Sequence, residues 1–216
     1  MISGNLKYRF YTSLALFTLL IFIMSSNLVL VYSCIIFGIM SSIEFSFILK
    51  KTVKKKINIF LFNVFFIIFL FVFYSCILFF FDFTEFKFIL FFLLIGCIAS
   101  DIGGYVVGKK MKGPKLTKIS PNKTISGSIG SIIFANIFMY LLYLYFFGKI
   151  NFKIFFIAVI TSISCQCGDL FFSYLKRKAK IKDTGNFLPG HGGVLDRLDG
   201  IYFGVPMGLV SLLIIN

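Results

Sequence analysis

The sequence has little charge for its length. Of its 216 residues, only 14% are Asp, Glu, Lys or Arg, whereas a soluble domain usually carries about 25%. Apolar residues make up 59% of the chain, and the mean hydropathy is +0.98. A soluble core of this length could not bury so much apolar surface. The composition therefore excludes a soluble globular domain and indicates an integral membrane protein.

Further absences narrow the chemistry. His191 is the only histidine, which excludes a zinc site built from several histidines. No G-x-x-x-x-G-K-[ST] motif occurs, so the chain is not a P-loop enzyme. The five cysteines mostly lie in apolar segments, and the spacing of Cys165 and Cys167 does not suit a structural zinc pair. We interpret the cysteines as packing residues.

The apolar residues fall into segments long enough to cross a bilayer as helices, which needs about 20 residues. Lys7 and Arg9 precede the first segment as in a signal peptide, but no small-residue cleavage motif follows, so we expect a retained first span. The fold class predicted is all-α, with about seven transmembrane helices and six to nine as the range. The segments are 10–26, 28–49, 57–80, 88–108, 125–148, 152–173 and 200–215.

The basic residues predict an orientation. With the N-terminus, 50–56, 109–124 and 174–199 on one side of the membrane, that side carries 19 of the 22 Lys and Arg. Positive loops face the cytoplasm, so the N-terminus and the loops 109–124 and 174–199 are predicted to be cytoplasmic. The net charge of +14 then reflects topology and contact with anionic lipid rather than a nucleic-acid partner.

Acidic residues in the spans are costly, about 2.5–3.5 kcal/mol at the bilayer centre. Asp101 and Asp169 lie near the inner ends of two spans, where they either reach water or face a polar site. Glu44 has no supporting motif, and we interpret it as an interfacial residue that reaches water. If span six continues as a helix, Asp169, Ser173, Lys176 and Lys180 share one face.

The loop after span six combines charges with glycines. Residues 173–200 hold six Lys and Arg, three Asp, five Gly and the histidine. Asp196 and Asp199 follow Gly192 and Gly193 and are predicted to share a face where span seven opens. Carboxylates suit a hard cation such as Mg²⁺, basic side chains suit phosphate, and glycines allow close backbone approach. The mixture predicts polyphosphate transfer by positioned charges.

The same loop carries a family resemblance. SYLKRKAKIKDTGNFLPGHGGVLDRLD, from Ser173 to Asp199, resembles the signature of phosphatidate cytidylyltransferases, also called CDP-diacylglycerol synthases. DIGGYVVG from Asp101, SPNKT from Ser120 and the Gly168-Asp169 pair resemble further motifs of that family. The chain departs from it at Ile125-Ser126, where the family usually has Trp-Glu. Because the matching motifs all lie from Asp101 onward, in roughly the C-terminal half of the chain, we divide the chain into N-terminal spans 1–90 and a catalytic membrane region 91–216.

The resemblance implies an enzyme of the cell membrane that joins CTP and phosphatidate into CDP-diacylglycerol and releases pyrophosphate. It implies an active site at the cytoplasmic side, Mg²⁺ on Asp169 and Asp196, with a second cation left open, and a homodimer. Phosphate or nucleotide contacts are expected from Lys176, Arg177, Lys182, Arg197, Asn122 and Lys123, and orientation or proton transfer from Asp183, His191 and Asp199. Further substrate contacts are expected from Ser120, Ser173, Gly192, Gly193 and Asp101.

Two other functions remain open at this point. A cytidylyltransferase or kinase could act on another lipid phosphate, because the lipid-facing residues are generic Phe, Ile and Leu. An ion or anion transporter could use Asp101 and Asp169 as ligands, but both acids lie toward the ends of their spans and no inverted repeat is evident.

Overall fold

A computed structural model describes residues 2–81, 84–149, 151–185, 187, 190 and 192–215, with side chains from residue 11 onward except at 80, 81, 84 and 85; His191 lies outside it. The regular elements in these residues are helices, and a β-bridge joins Lys115 to Thr124. The helices are α1 (Ile2–Ser25), α2 (Asn27–Thr52), α3 (Lys56–Phe81), α4 (Thr84–Met111), α5 (Ile125–Phe147), α6 (Lys153–Lys178), α7 (Leu195–Leu198) and α8 (Ile201–Ile215).

In the part of the chain that the structure describes, six stretches of helix are long and apolar enough to cross a membrane, and each matches a predicted span. They are Asn27–Thr52, Lys56–Phe79, Phe86–Met111, Ile125–Phe147, Lys153–Lys178 and Leu195–Ile215. The first predicted span, 10–26, corresponds to α1, whose apolar stretch Tyr11–Ser25 is shorter. Helices satisfy their backbone polar groups internally, which hydrocarbon requires. Large apolar side chains such as Phe65, Phe71 and Leu213 are more than 70% exposed, as suits contact with lipid.

The chain divides into two compact units. Unit 1 comprises Met1–Lys87 and Leu175–Leu198, and unit 2 comprises Phe88–Tyr174 and Asp199–Asn216. In unit 1, α2 contacts α1, α3 and α7. Phe45 of α2 stacks on Phe66 of α3 with ring centroids 4.0 Å apart, and Ser46 donates to Asn63 at 2.7 Å. Helix α2 is therefore the element around which unit 1 is packed.

Small residues bring the helices of unit 2 close together. A Cβ on Gly103 of α4 would lie 2.5 Å from the Gly130 carbonyl oxygen of α5, and one on Gly208 of α8 would lie 2.7 Å from Thr161 Oγ1 of α6. Such contacts let helix backbones approach in a membrane, where apolar side chains alone give little driving force.

Thr124 caps α5 by accepting the Gly127 N–H at 3.0 Å.

Helix α6 extends past the predicted end at residue 173 to Lys178. Asp169, Ser173 and Lys176 are therefore all helical, as the predicted stripe requires, but Lys180 lies beyond the helix with φ 56°. The Ile181 N–H donates to the Lys176 carbonyl and the Lys180 N–H donates to the Arg177 carbonyl, both at 3.0 Å. These two bonds form a Schellman C-cap, whose left-handed position is here a lysine.

The prediction that Asp196 and Asp199 share one helix face is wrong. Helix α7 ends at Leu198, and Asp199 and Gly200 form a turn before α8. The Asp199 carboxylate accepts the Gly200 N–H at 3.0 Å. A side chain that bonds nearby backbone in this way competes with helix formation.

Candidate functional site

In unit 2, Lys123 and Asp169 form an ion pair. Lys123 Nζ lies 2.9 Å from Asp169 Oδ2, and the two side chains are 30% and 21% exposed. Asp169 projects from α6, and Lys123 comes from the loop before α5. The structure thus joins residues that were predicted separately, one as a metal ligand and one as a phosphate contact.

The loop that carries Lys123 is held by backbone hydrogen bonds. The Leu116 N–H donates to the Lys123 carbonyl at 2.8 Å, and the Ile125 N–H donates to the Pro114 carbonyl at 2.9 Å. Ser120 accepts the Lys123 N–H at its carbonyl, across the turn that exposes Asn122. The motif SPNKT therefore forms a fixed turn that directs Lys123 to α6.

Close backbone packing surrounds Asp169. A Cβ on Gly200 would lie 2.9 Å from Asp169 Oδ1 and 2.5 Å from Cys165 Sγ, and a Cβ on Gly168 would clash with the Asp199 carbonyl oxygen. Asp199 is buried, at 9% exposure. The Gly168-Asp169 pair thus fits against the Asp199-Gly200 turn, which explains in packing terms why glycine precedes this acid.

In unit 1, Asp196 is surrounded by donors. Its Oδ1 lies 2.7 Å from Lys176 Nζ, and the two side chains are only 6% and 12% exposed. Its Oδ2 accepts the backbone N–H groups of Thr184 at 2.8 Å and Gly193 at 3.0 Å. Gly192 has φ +88°, and a Cβ there would lie 2.9 Å from Asp196 Oδ2. The Gly192-Gly193 pair allows the backbone to wrap this carboxylate.

A second carboxylate of unit 1, that of Glu44, also accepts several hydrogen bonds. It accepts the Thr184 hydroxyl at 2.6 Å and the backbone N–H groups of Val194 at 3.0 Å and Leu195 at 2.9 Å. Glu44 is 7% exposed. The interpretation of Glu44 as an interfacial residue that reaches water is therefore wrong, because it is buried against the loop before α7.

The remaining predicted site residues are mostly at the surface of their units. Arg177, Lys182, Asp183, Arg197, Asn122 and Asp101 are exposed, and Ser120 and Ser173 are half-buried. Asp101 Oδ1 lies 3.8 Å from Cys165 Sγ. His191 was predicted to assist in orientation or proton transfer and lies outside the described residues. The exposed cations Arg177, Lys182 and Arg197 all belong to unit 1.

The family model described as the cytidylyltransferase family matches residues 3–215. The chain belongs to this family. The family model covers nearly the whole chain, including the N-terminal spans, in which no family motif was identified.

Relatives with curated names resemble part of the chain. A phosphatidate cytidylyltransferase of Helicobacter pylori (strain ATCC 700392 / 26695) is 41% identical over 124 residues, which cover 56% of this chain and 45% of that protein. One of Mycobacterium leprae is 41% identical over 110 residues, covering 50% and 35%, and one of Rickettsia felis is 41% identical over 127 residues, covering 53% and 55%. The chain spans about half the length of these relatives or less.

A magnesium ion favours oxygen ligands and commonly takes one or two carboxylates together with substrate phosphates and water. Within the described ranges, no group of three or more His, Cys, Asp or Glu could hold a metal. Asp169 fits a magnesium ligand, because one lysine contacts its carboxylate and the pair is partly exposed. Asp196 fits less well, since both its oxygens accept donors and a cation at Oδ1 would replace Lys176.

The sequence patterns did not identify Glu44 or Thr184 as part of a site. Thr184 is buried, donates its hydroxyl to Glu44 and donates its N–H to Asp196. One signal pointed to Glu44: it is an acid within a helix otherwise rich in apolar residues, where carboxylates need partners. No local pattern identified those partners, which lie 140 to 151 residues away along the chain.

Proposed function

We propose that the protein is a phosphatidate cytidylyltransferase, which converts CTP and phosphatidate into CDP-diacylglycerol and pyrophosphate. The observation that carries this proposal is the family match over residues 3–215 with relatives of that name. The geometry supports it, because each predicted metal ligand pairs with a lysine that the same resemblance predicts to contact phosphate or nucleotide.

In the proposed reaction, a phosphate oxygen of phosphatidate attacks the α-phosphorus of CTP in line. The bond between the α-phosphorus and the oxygen that bridges to the β-phosphorus breaks, and pyrophosphate leaves with that oxygen. Such a transfer depends on positioning and on neutralising charge rather than on a covalent intermediate with the protein. The residues therefore need to hold several phosphates in place.

The exposed cations suit this task. Arg177, Lys182 and Arg197 are exposed on unit 1, and we assign them to the triphosphate and lipid phosphate. Lys176 and Lys123 each hold a carboxylate at less than 3 Å, so they fix the acids and can turn to phosphate when it binds. Asn122 at the exposed turn of the SPNKT loop is assigned to the nucleotide.

We also propose a Mg²⁺ requirement, with Asp169 as the ligand that its surroundings favour and with Asp196 as a ligand when Lys176 is displaced from it. When bound, the cation would neutralise negative charge on the phosphates, which the carboxylates alone would repel. A homodimer in the cell membrane, with the N-terminus in the cytoplasm, completes the proposal; its support is the family membership and the distribution of basic residues.

The test uses purified full-length protein in mixed micelles with CTP labelled at the α-phosphorus. Phosphatidate and Mg²⁺ should give a labelled lipid that comigrates with CDP-diacylglycerol, with one pyrophosphate released per lipid. EDTA should abolish the product. Replacing phosphatidate by a polyprenyl phosphate should give no labelled lipid; label only in that reaction would assign the protein to another lipid, and no label in either would refute cytidylyl transfer.

A further inference from the structure

We propose that Glu44 is a positioning residue, which anchors the loop carrying the family signature so that its charged side chains are held for cytidylyl transfer. The signature loop is defined here as residues 179–194, between α6 and α7. The proposal rests on the proposed function for its catalytic part, whereas the anchoring itself stands on geometry within unit 1.

The hydrogen bonds of Glu44 reach Thr184 within this loop and the junction between the loop and α7. Oε2 accepts the Thr184 hydroxyl at 2.6 Å and the Leu195 N–H at 2.9 Å, and Oε1 accepts the Val194 N–H at 3.0 Å. Thr184, Val194 and Leu195 are each no more than 3% exposed. The bonds are therefore shielded from water, where a lost acceptor leaves buried donors unsatisfied at substantial cost.

Thr184 links Glu44 to Asp196. Its hydroxyl donates to Glu44, and its N–H donates to Asp196, which also holds Lys176. A residue of the membrane helix α2 is thus connected through a single threonine to a predicted metal ligand and a predicted phosphate contact. Displacement of Thr184 would remove one donor from each carboxylate.

Glycines in the signature loop are needed for this approach. A Cβ on Gly185 would lie 2.8 Å from Glu44 Oε1, and a Cβ on Gly193 would clash with both the Thr184 hydroxyl and the Glu44 carboxylate. Glycine is the residue that permits such close contact. The sequence alone predicted that Gly193 approaches a substrate, but the group it approaches here is the protein's own Glu44.

A carboxylate is required rather than an amide. Val194 and Leu195 present N–H donors to different oxygens of Glu44, and an ionised carboxylate accepts at both. In a glutamine, the NH₂ group would face one of these N–H donors in either orientation. Glu44→Gln therefore keeps the size of the side chain but loses at least one backbone hydrogen bond and places two donors in contact.

The experiment compares Glu44→Gln, Thr184→Val and Thr184→Ser with wild type, and uses Ser46→Ala as a matched control. Ser46 lies on the same helix but bonds Asn63 of α3 instead of the loop. We expect Glu44→Gln to lower kcat about 100-fold, because small misplacements near reacting groups have effects of this order. The KM values for CTP and phosphatidate should stay within about threefold, since the binding groups themselves are retained.

The threonine variants test the link without altering Glu44. Thr184→Val removes the hydroxyl with little change in shape and should lower kcat, whereas Thr184→Ser restores the hydroxyl and should restore kcat. Ser46→Ala should behave as wild type. Wild-type kcat in both Glu44→Gln and Thr184→Val, or an equal loss of kcat in Ser46→Ala, would overturn the positioning role.

Hydrogen exchange separates anchoring from catalysis. The amides of Val194 and Leu195 should exchange at least about tenfold faster in Glu44→Gln than in wild type, because their acceptor is lost. Unchanged exchange would refute the anchoring. If wild-type protein makes no CDP-lipid, the proposed function and the catalytic role fail together, while faster exchange in Glu44→Gln would still support the anchoring of the loop.

Discussion

Lys176 and Arg197 are both predicted phosphate contacts, but their surroundings predict different results on removal. Lys176 pairs with Asp196 at 2.7 Å and is 12% exposed, so Lys176→Ala leaves a buried carboxylate without its cation. We expect the free energy of unfolding in detergent to fall by about 3 kcal/mol. Arg197 is exposed, and Arg197→Ala should change stability by less than about 0.5 kcal/mol. Thermal unfolding in one detergent measures both.

Turnover provides the second comparison for the same pair. Arg197→Ala should reduce kcat/KM about 100-fold, as expected for a lost electrostatic donor, although its unfolding temperature stays near that of wild type. Unaltered turnover in Arg197→Ala would remove this side chain from the proposed phosphate contacts.

Asp169 offers a test of the metal proposal with little effect on folding. Its pair with Lys123 is partly exposed, and such pairs contribute up to about 1 kcal/mol. Asp169→Asn keeps the size of the side chain, so the protein should insert and fold while nearly all Mg²⁺-dependent lipid product is lost. A titration of product against Mg²⁺ measures this. Normal activity with an unchanged Mg²⁺ requirement would exclude Asp169 as a ligand.

At the scale of a helix, the end of α6 is strained at one residue. Lys180 occupies the left-handed position of the Schellman cap with φ 56°, where glycine is the preferred residue. Lys180→Gly should therefore raise the free energy of unfolding by up to about 1 kcal/mol. The matched control is Lys178→Gly, at the last residue of α6, which should lower the free energy of unfolding by up to about 1 kcal/mol because glycine is disfavoured in a helix. Equal effects of the two changes would contradict this geometry.

The helices were predictable because each apolar run is long and is bounded by charged, glycine-rich or short polar segments. The end of α6 was not, because the predicted span stopped where hydropathy falls, whereas the helix continues through Lys176 and Lys178. In the site, the types of residue in the signature were predictable, but the ion pairs were not. Lys123 lies 46 residues from Asp169 and Glu44 lies 140 residues from Thr184, and no local pattern encodes such contacts.

The whole molecule has a predicted orientation that labelling can test. In a chain whose five cysteines are replaced by alanine, single cysteines at Lys115 and Lys180 should react with an impermeant maleimide only after the cells are opened. Both positions are exposed and lie outside the six long apolar helices. A cysteine at Lys149 should react in intact cells, because 149 lies on the side that carries few basic residues. Labelling of a cysteine at position 115 or 180 in intact cells would show that the predicted orientation is reversed.

The contact between Glu44 and the loop before α7 also sets an order of events during synthesis. Helix α2 is made first, and Thr184 follows 140 residues later. At about 5–20 residues per second, the ribosome needs about 7–28 s to cover that distance. During this interval the carboxylate of Glu44 lacks the three donors it will later hold, in a segment that enters the bilayer. The nascent chain therefore carries an incomplete packing of α2 until the loop before α7 is translated, and we expect chains that stop before Thr184 to be degraded faster than chains that contain it.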